Sequence, residues 1–85
     1  MNNCVECGSF HAERHHIFFG QPNRKLSEKY GCIEYLCSWH HRDIAVGVHG
    51  LNKKLDLKLK QKHQKRLEEE ITRTQFIKIF GRSWL

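Results

Sequence analysis

Hydrophobic positions in this chain change their spacing from one end to the other. In the first half they come as short dense runs, Ile17-Phe18-Phe19 and Ile33-Glu34-Tyr35-Leu36-Cys37, separated by a polar stretch from Gly20 to Gly31. β-Branched and aromatic residues bounded by Gly and Pro predict two short strands around a long loop. A short helix is expected over Ser38 to Ala45, after which Gly47 and Gly50 permit a turn. In the second half Leu51, Leu55, Leu59, Leu67 and Ile71 recur at multiples of four, which gives a helix an apolar stripe that drifts slowly round its surface. The run Leu55-Asp56-Leu57-Lys58-Leu59-Lys60 also alternates with period two, as a strand would. Helix is favoured because Gln61 to Glu70 is rich in helix formers and lacks β-branched residues. Thr72-x-x-Gln75 has the form of a capping box, with Ile71 and Phe76 spaced for a hydrophobic staple. Phe76, Ile77 and Phe80 are expected to face inward before Gly81 stops the helix. The pattern predicts one small α+β domain over residues 1–85, its first fifty residues built from two strands, turns and a short helix and residues 51–85 from a basic helix and a C-terminal capping helix.

Length changes this picture by adding a requirement. A domain of 85 residues buries only about 60% of its unfolded surface, so a metal or disulfide staple is expected to supplement the core. No stretch approaches the roughly 20 apolar residues of a membrane span, and MNNCVECGSF lacks the basic-then-apolar signature of a signal peptide. The expectation is a soluble cytoplasmic protein with no membrane partner, and in that reducing compartment four Cys and seven His read as metal ligands before they read as disulfides.

The ligands fall into recognisable half-sites. Cys4-x2-Cys7 followed by Gly8 is a knuckle that can grip one side of a tetrahedral ion. Cys37-x2-His40 supplies the other half, since residues i and i+3 on a first helical turn project to the same side. Together they predict a closed Cys3His structural zinc site. The plainer alternative is that these cysteines are small buried hydrophobes. Cys32 is left over as a core thiol.

A second histidine set follows from geometry. His40 and His41 cannot both serve one zinc, because neighbours on a helix point about 100° apart, and His15 and His16 on a strand take opposite faces. A second site containing one strand histidine and His41 is suggested, beside a free imidazole whose ordinary pKa near 6.5 suits a general base. The plainer reading of His15 and His16 is one buried and one exposed strand histidine. His49 divides evenly between ligand and loop residue, and His11 and His63 are expected at the surface. Trp39, Trp84 and Tyr30 are expected in the core or capping it.

Charge adds a candidate partner. Of 15 Lys and Arg against 9 Asp and Glu, residues 53 to 66 hold seven basic side chains against Asp56 alone, leaving the rest neutral at eight of each sign. Such clustering in Lys53, Lys54, Lys58, Lys62, Lys65 and Arg66 is what neutralising several phosphates requires, and nucleic-acid contact is favoured over a solvated helix face. Arg24, Lys25 and Arg42, in the loop and beside the second knuckle, could clamp phosphate oxygens through paired N–H donors or lie free in solvent.

His15-His16-Ile17-Phe18-x-Gly20, Ser27 to Gly31, Leu36-Cys37-x2-His40-His41 and Gly47 to Gly50, with Cys4-x2-Cys7 upstream, occur in an order that resembles the HNH nucleases of the ββα-metal class. The closer likeness is to small phage-type members, including the RecA-dependent recombination-enhancement nucleases, and it covers residues 4 to 50 well. The resemblance implies a zinc-stabilised, treble-clef-like ββα-metal core followed by C-terminal helices. It implies a metal-dependent endonuclease that cuts DNA with low sequence specificity, in phage recombination or DNA processing in the host cytoplasm, with a recombination protein as a further partner. By position, His15 would ligate the catalytic cation, His16 would activate water and His41 would complete the cation site. Position 45, where related enzymes carry another ligand, is Ala. His49 can replace it only if the helix ends near Gly47 and the chain folds back, since eight residues of unbroken helix span about 12 Å. Asn23, between His16 and His41, is the one candidate for the family's central asparagine and stands earlier than the family places it. An imidazole-rich site favours Mn2+, Ni2+ or Zn2+ over Mg2+. The competing class is a non-catalytic zinc module that binds nucleic acid or a recombination protein, for which His15, His16 and His41 together would have no use.

Overall fold

Two strands of five residues, β1 (Ala12–His16) and β2 (Ile33–Cys37), pair antiparallel with His15 opposite Glu34 and His16 opposite Ile33. The computed structural model describes residues 3–85. The first strand lies earlier than the apolar run predicts. Ile17 and Phe18 are adjacent and both fully buried, which a strand with one solvated face cannot arrange because its neighbours point opposite ways. The chain therefore leaves the ladder after His16, with Ile17 N–H still donating to the Cys32 carbonyl at 3.0 Å.

The long loop expected between the strands contains a helix, α1 (Asn23–Lys29). Arg24, Lys25, Leu26, Glu28 and Lys29 are good helix formers, and Pro22 stands at the N-cap. Ser27 fixes its seat: the buried hydroxyl accepts from Phe18 N–H at 3.0 Å and donates to the Phe18 carbonyl at 2.7 Å. The chain then turns at Gly31 with φ +70°, a conformation that side chains resist.

Helix α2 (Ser38–Arg42) follows β2 directly and is shorter than expected. After it the chain doubles back, with Gly47, Val48 and His49 N–H donating to the carbonyls of Asp43, His40 and His41 at 2.9, 2.8 and 3.2 Å. The approach needs glycine: a Cβ at Gly50 would stand 2.4 Å from the Asp43 carbonyl oxygen, and one at Gly47 would stand 2.6 Å from the Asp43 nitrogen.

Helix α3 (Lys53–Leu67) is capped by Asn52, whose side chain accepts from Leu55 N–H at 3.1 Å. Leu55, Leu59 and Leu67 are buried as the stripe predicts, Leu51 precedes the helix and is 76% exposed, and the missing step at 63 is filled by His63, which is 5% exposed rather than at the surface. Helix α4 (Arg73–Phe80) begins with the complete Thr72–Gln75 capping box and ends at Gly81 with φ +92°. Its inward face is Phe76 and Phe80, one turn apart; Ile77, expected with them, is 40% exposed. Phe18 sits among Phe76, Phe80 and Trp84, with ring centroids 5.5, 4.5 and 4.8 Å away. Tyr30 and Trp84 pack against this core as expected, whereas Trp39 is 65% exposed on α2. The two later helices add Leu55, Leu59, Leu67, Phe76 and Phe80 to a core whose other members come from the first fifty residues, and α2, with no buried residue, lies at its edge. Among the described residues no helix is long and apolar enough to cross a membrane.

Two candidate metal centres and a histidine-lined cleft

The first centre is assembled by a turn and a strand end. Cys4 and Cys7 lie on a turn closed by the next residue, Gly8, which has φ +76° and donates its N–H to the Cys4 carbonyl at 2.9 Å. Cys37 is the last residue of β2 and the N-cap of α2, and His40 lies three residues on. The ligand atoms of these four residues lie within 4.8 Å of one another. A tetrahedral zinc with bonds of about 2.3 Å to sulfur and about 2.0–2.1 Å to nitrogen needs edges of about 3.8 Å between sulfurs and about 3.6 Å from sulfur to nitrogen. Cys7 Sγ to Cys37 Sγ is 3.6 Å, Cys4 Sγ to His40 Nδ1 is 3.7 Å and Cys37 Sγ to His40 Nδ1 is 3.2 Å. Burial pushes the Cys4 thiol up, but hydrogen bonds from the main chain at Cys37, Cys7 and Glu6 outweigh it and bring it down to about 6. The donor set and its spacing fit zinc. Cys32 lies outside the cluster, fully buried, with its thiol pushed up by burial to about 11; it is the core thiol that was expected.

The second centre depends on the return of the chain after α2. His15 from β1, His41 from α2 and His49 from the returning segment bring their ring nitrogens within 4.8 Å of one another. The helix stops at Arg42, so the 12 Å obstacle to His49 does not arise. His41 Nε2 and His49 Nε2 are 3.1 Å apart, within the edge of about 3.0–3.4 Å that two nitrogens at about 2.1 Å from one ion would have. Burial, reinforced by the nearby His41 and His49, brings His15 down to about 3, and burial lowers His49 in the same direction. Both shifts favour the neutral ring, the state in which an imidazole can ligate.

A carboxylate stands behind His41. Glu13 Oε1 accepts from His41 Nδ1 at 2.8 Å, and Arg42 donates to both oxygens of the same carboxylate. The hydrogen bond from His41 holds the Glu13 carboxyl below its usual range. With Nδ1 protonated, His41 has its lone pair on Nε2, turned toward His49. This is the outer-shell arrangement that sets the tautomer of a ligating histidine.

His16 lies apart from this trio but borders the same open cleft, of about 450 Å3, together with His15, His41, His49, Phe19, Gln21 and two arginines, Arg14 and Arg24. His16 Nε2 is 2.9 Å from Glu28 Oε1. Lys25 borders an adjoining groove with His16, Arg24 and Glu28. Asn23 is not beside the histidines; its side-chain amide donates to the Phe80 carbonyl at 3.1 Å.

The basic segment is distributed differently from the cleft. Lys54, Lys58, Lys62 and Lys65 are all exposed and recur at steps that align them along one side of α3, with Lys58 paired to Glu6 and Lys62 to Glu34. Lys60, on the other side of that helix, pairs with Asp56 and stands 4.3 Å over the Phe19 ring at the cleft. Lys53 donates to the Val48 carbonyl, and Arg66 donates to the carbonyls of Tyr30 and Gly31. Arg42 is held by Glu13. Arg14 and Arg24 line the cleft with the histidines, Arg14 paired to Glu28 and Arg24 without a carboxylate partner among the described residues, while Lys60 stands at its edge over Phe19.

Sequence reading missed Glu13, Glu28 and Arg14. Glu13 and Glu28 reach His41 and His16 across 28 and 12 residues of chain, which no local spacing marks, and Arg14, two residues from His16 on β1, meets it only through Glu28. His63 did have a signal, since position 63 is the unfilled step in the four-residue stripe.

Comparison of the chain with protein-family models, with curated proteins and with solved structures gives no match in any of the three.

Proposed function

We propose that this protein is a metal-dependent endonuclease of the HNH, ββα-metal kind that hydrolyses DNA phosphodiester bonds. The observation that carries the reading is the meeting of His15, His41 and His49 in one cleft beside a fourth histidine that is free of their cluster, with Arg14 and Arg24 on the same walls. A zinc-stabilised binding module would need the Cys4, Cys7, Cys37 and His40 cluster but would have no use for the second one.

The roles follow from the donors. His15, His41 and His49 would hold a divalent cation, Mn2+, Ni2+, Zn2+ or Mg2+, which when bound supplies positive charge to stabilise the transition state and the departing 3′ oxygen. Arg24 binds phosphate oxygens and aligns the strand in the cleft, while Arg14 stays paired to Glu28. His16 accepts a proton from the attacking water as its oxygen bonds to phosphorus and the bond to the 3′ oxygen breaks, and the departing oxygen takes a proton from solvent. The products are 5′-phosphate and 3′-hydroxyl ends. The exposed lysine stripe on α3, with Lys54, Lys58, Lys62 and Lys65, adds backbone contact that carries no sequence information and weakens steeply with salt.

The test is nicking of supercoiled plasmid by wild type and His16→Ala, each zinc-loaded, at low salt in Mg2+, Mn2+, Ni2+ or Zn2+. Cutting that needs the cation and falls about 100-fold or more in the variant is expected, the range for loss of a general base. If neither protein cuts while both shift DNA in a gel, the binding module replaces the nuclease.

A further inference from the structure

His16 belongs to a chain of hydrogen bonds that runs away from the cleft. Its Nε2 lies 2.9 Å from Glu28 Oε1, and Glu28 Oε2 accepts from Arg14 Nη2 at 2.8 Å. Arg14 can only donate, and a carboxylate can only accept. The direction of both bonds is therefore imposed from the far end: the proton between His16 and Glu28 sits on Nε2, and the lone pair of the neutral ring is left on Nδ1. A parallel relay, Arg42 to Glu13 to His41, engages the other nitrogen and leaves Nε2 free at the candidate ligand. The two histidines are thus set in opposite tautomers.

The anchoring is stronger than the exposure of the pair suggests. Arg14 and His16 are two apart on β1 and share a face of the strand. Glu28 follows Ser27, whose two buried hydrogen bonds to Phe18 fix the rotation of α1 against the end of that strand. The Arg14 and Glu28 side chains are 46% and 45% exposed, so their pairing adds little to stability.

We propose that Glu28, held by Arg14, is a positioning residue that fixes His16 in the Nε2–H tautomer and so makes Nδ1 the proton-accepting atom. The consequence for turnover rests on the reading of His16 as the base. The discriminating variant is Glu28→Gln. Arg14 claims the amide oxygen, so the NH2 group faces His16 Nε2 and forces that nitrogen to accept, which moves the ring proton to Nδ1. The equivalent exchange beneath the histidine of a serine-protease triad costs about 10^4-fold in rate through the wrong tautomer.

The experiment reads the His16 ring nitrogens by long-range 1H–15N correlation in zinc-loaded protein at a pH where the ring is neutral, and in parallel the nicking rate and the KM for plasmid. Wild type is expected as Nε2–H. E28Q is expected as Nδ1–H, with turnover reduced at least about 100-fold, KM within about threefold and the melting temperature unchanged. Replacing Arg14 as well, in R14A/E28Q, frees the amide to turn over and is expected to return His16 to Nε2–H. An E28Q protein that keeps the Nε2–H form, or that cuts at the wild-type rate, overturns the proposal, and so does a double variant that stays Nδ1–H. The tautomer needs no turnover to be read. A wild type that does not cut therefore refutes the nuclease reading while the spectra still decide the role of Glu28.

Discussion

Removing zinc from the Cys4, Cys7, Cys37 and His40 cluster should unfold most of this domain. At roughly 0.05–0.15 kcal/mol per residue, 85 residues carry about 4–13 kcal/mol of net stability, whereas structural zinc in small modules contributes about 10–16 kcal/mol. The elements it ties together cannot stand alone: α2 has five residues, below the length at which an isolated helix persists, and β2 belongs to a sheet of only two strands. The knuckle's other main-chain ties are few, among them Cys4 N–H to the Ser9 carbonyl at 2.9 Å and Val5 N–H to the Tyr35 carbonyl at 2.8 Å. Because α2 also carries His41, the histidine centre should be lost with it. Each kcal/mol is worth about 4–8 °C in a domain of this size, so even a loss of about 3 kcal/mol lowers the melting temperature by about 12–24 °C. The assay is circular dichroism melting before and after chelation, with zinc content verified, alongside Cys37→Ser and Cys32→Ala. Cys37→Ser should behave like the zinc-free protein. Cys32→Ala removes one fully buried sulfur outside the cluster and should cost only about 1–2 kcal/mol. A fall of less than about 8 °C on complete zinc removal, or a Cys32 variant worse than the Cys37 one, would refute the structural role of the cluster.

Two further outcomes test the surroundings of the histidines. Glu13→Ala should weaken divalent-cation binding at the His15, His41 and His49 centre by about 10–100-fold, as loss of an orienting carboxylate does elsewhere; Mn2+ titration of zinc-loaded protein measures it, and unchanged affinity would remove Glu13 from the site. His63 has a buried Nε2 without a hydrogen-bond partner among the described residues, 3.7 Å from Glu34 and flanked by Lys62 and Arg66. His63→Leu should therefore stabilise the domain by about 1 kcal/mol at pH 7.5. Burial lowers the folded-state pKa of His63, so below the unfolded value near 6.5 the unfolded chain binds the extra proton and the wild type loses stability as pH falls. The advantage of His63→Leu should accordingly grow between pH 7.5 and 5.5 in urea melts, and an advantage that shrinks would contradict the assignment.

The parts of this protein that are legible in its sequence are those whose cause is local. Cys4-x2-Cys7 and Cys37-x2-His40 are paired by a turn and by a helical step, so each half of the Cys3His cluster is written within four residues. The Thr72–Gln75 box, the Gly81 stop and the leucines of α3 are local in the same sense, and each appears in the fold where the pattern puts it. Tertiary structure decided the rest. Whether His49 meets His41 depended on where α2 ends and on two glycines that let backbone approach backbone. α1 emerged from a polar stretch because Ser27 found buried partners in Phe18. Glu13 and Glu28 acquired roles because strand pairing and helix seating carried them to the nitrogens of His41 and His16. Spacing along a chain specifies which side chains share a turn; which nitrogen of a histidine is left free is specified by what lies across the fold, and the two relays that set it are joined through space.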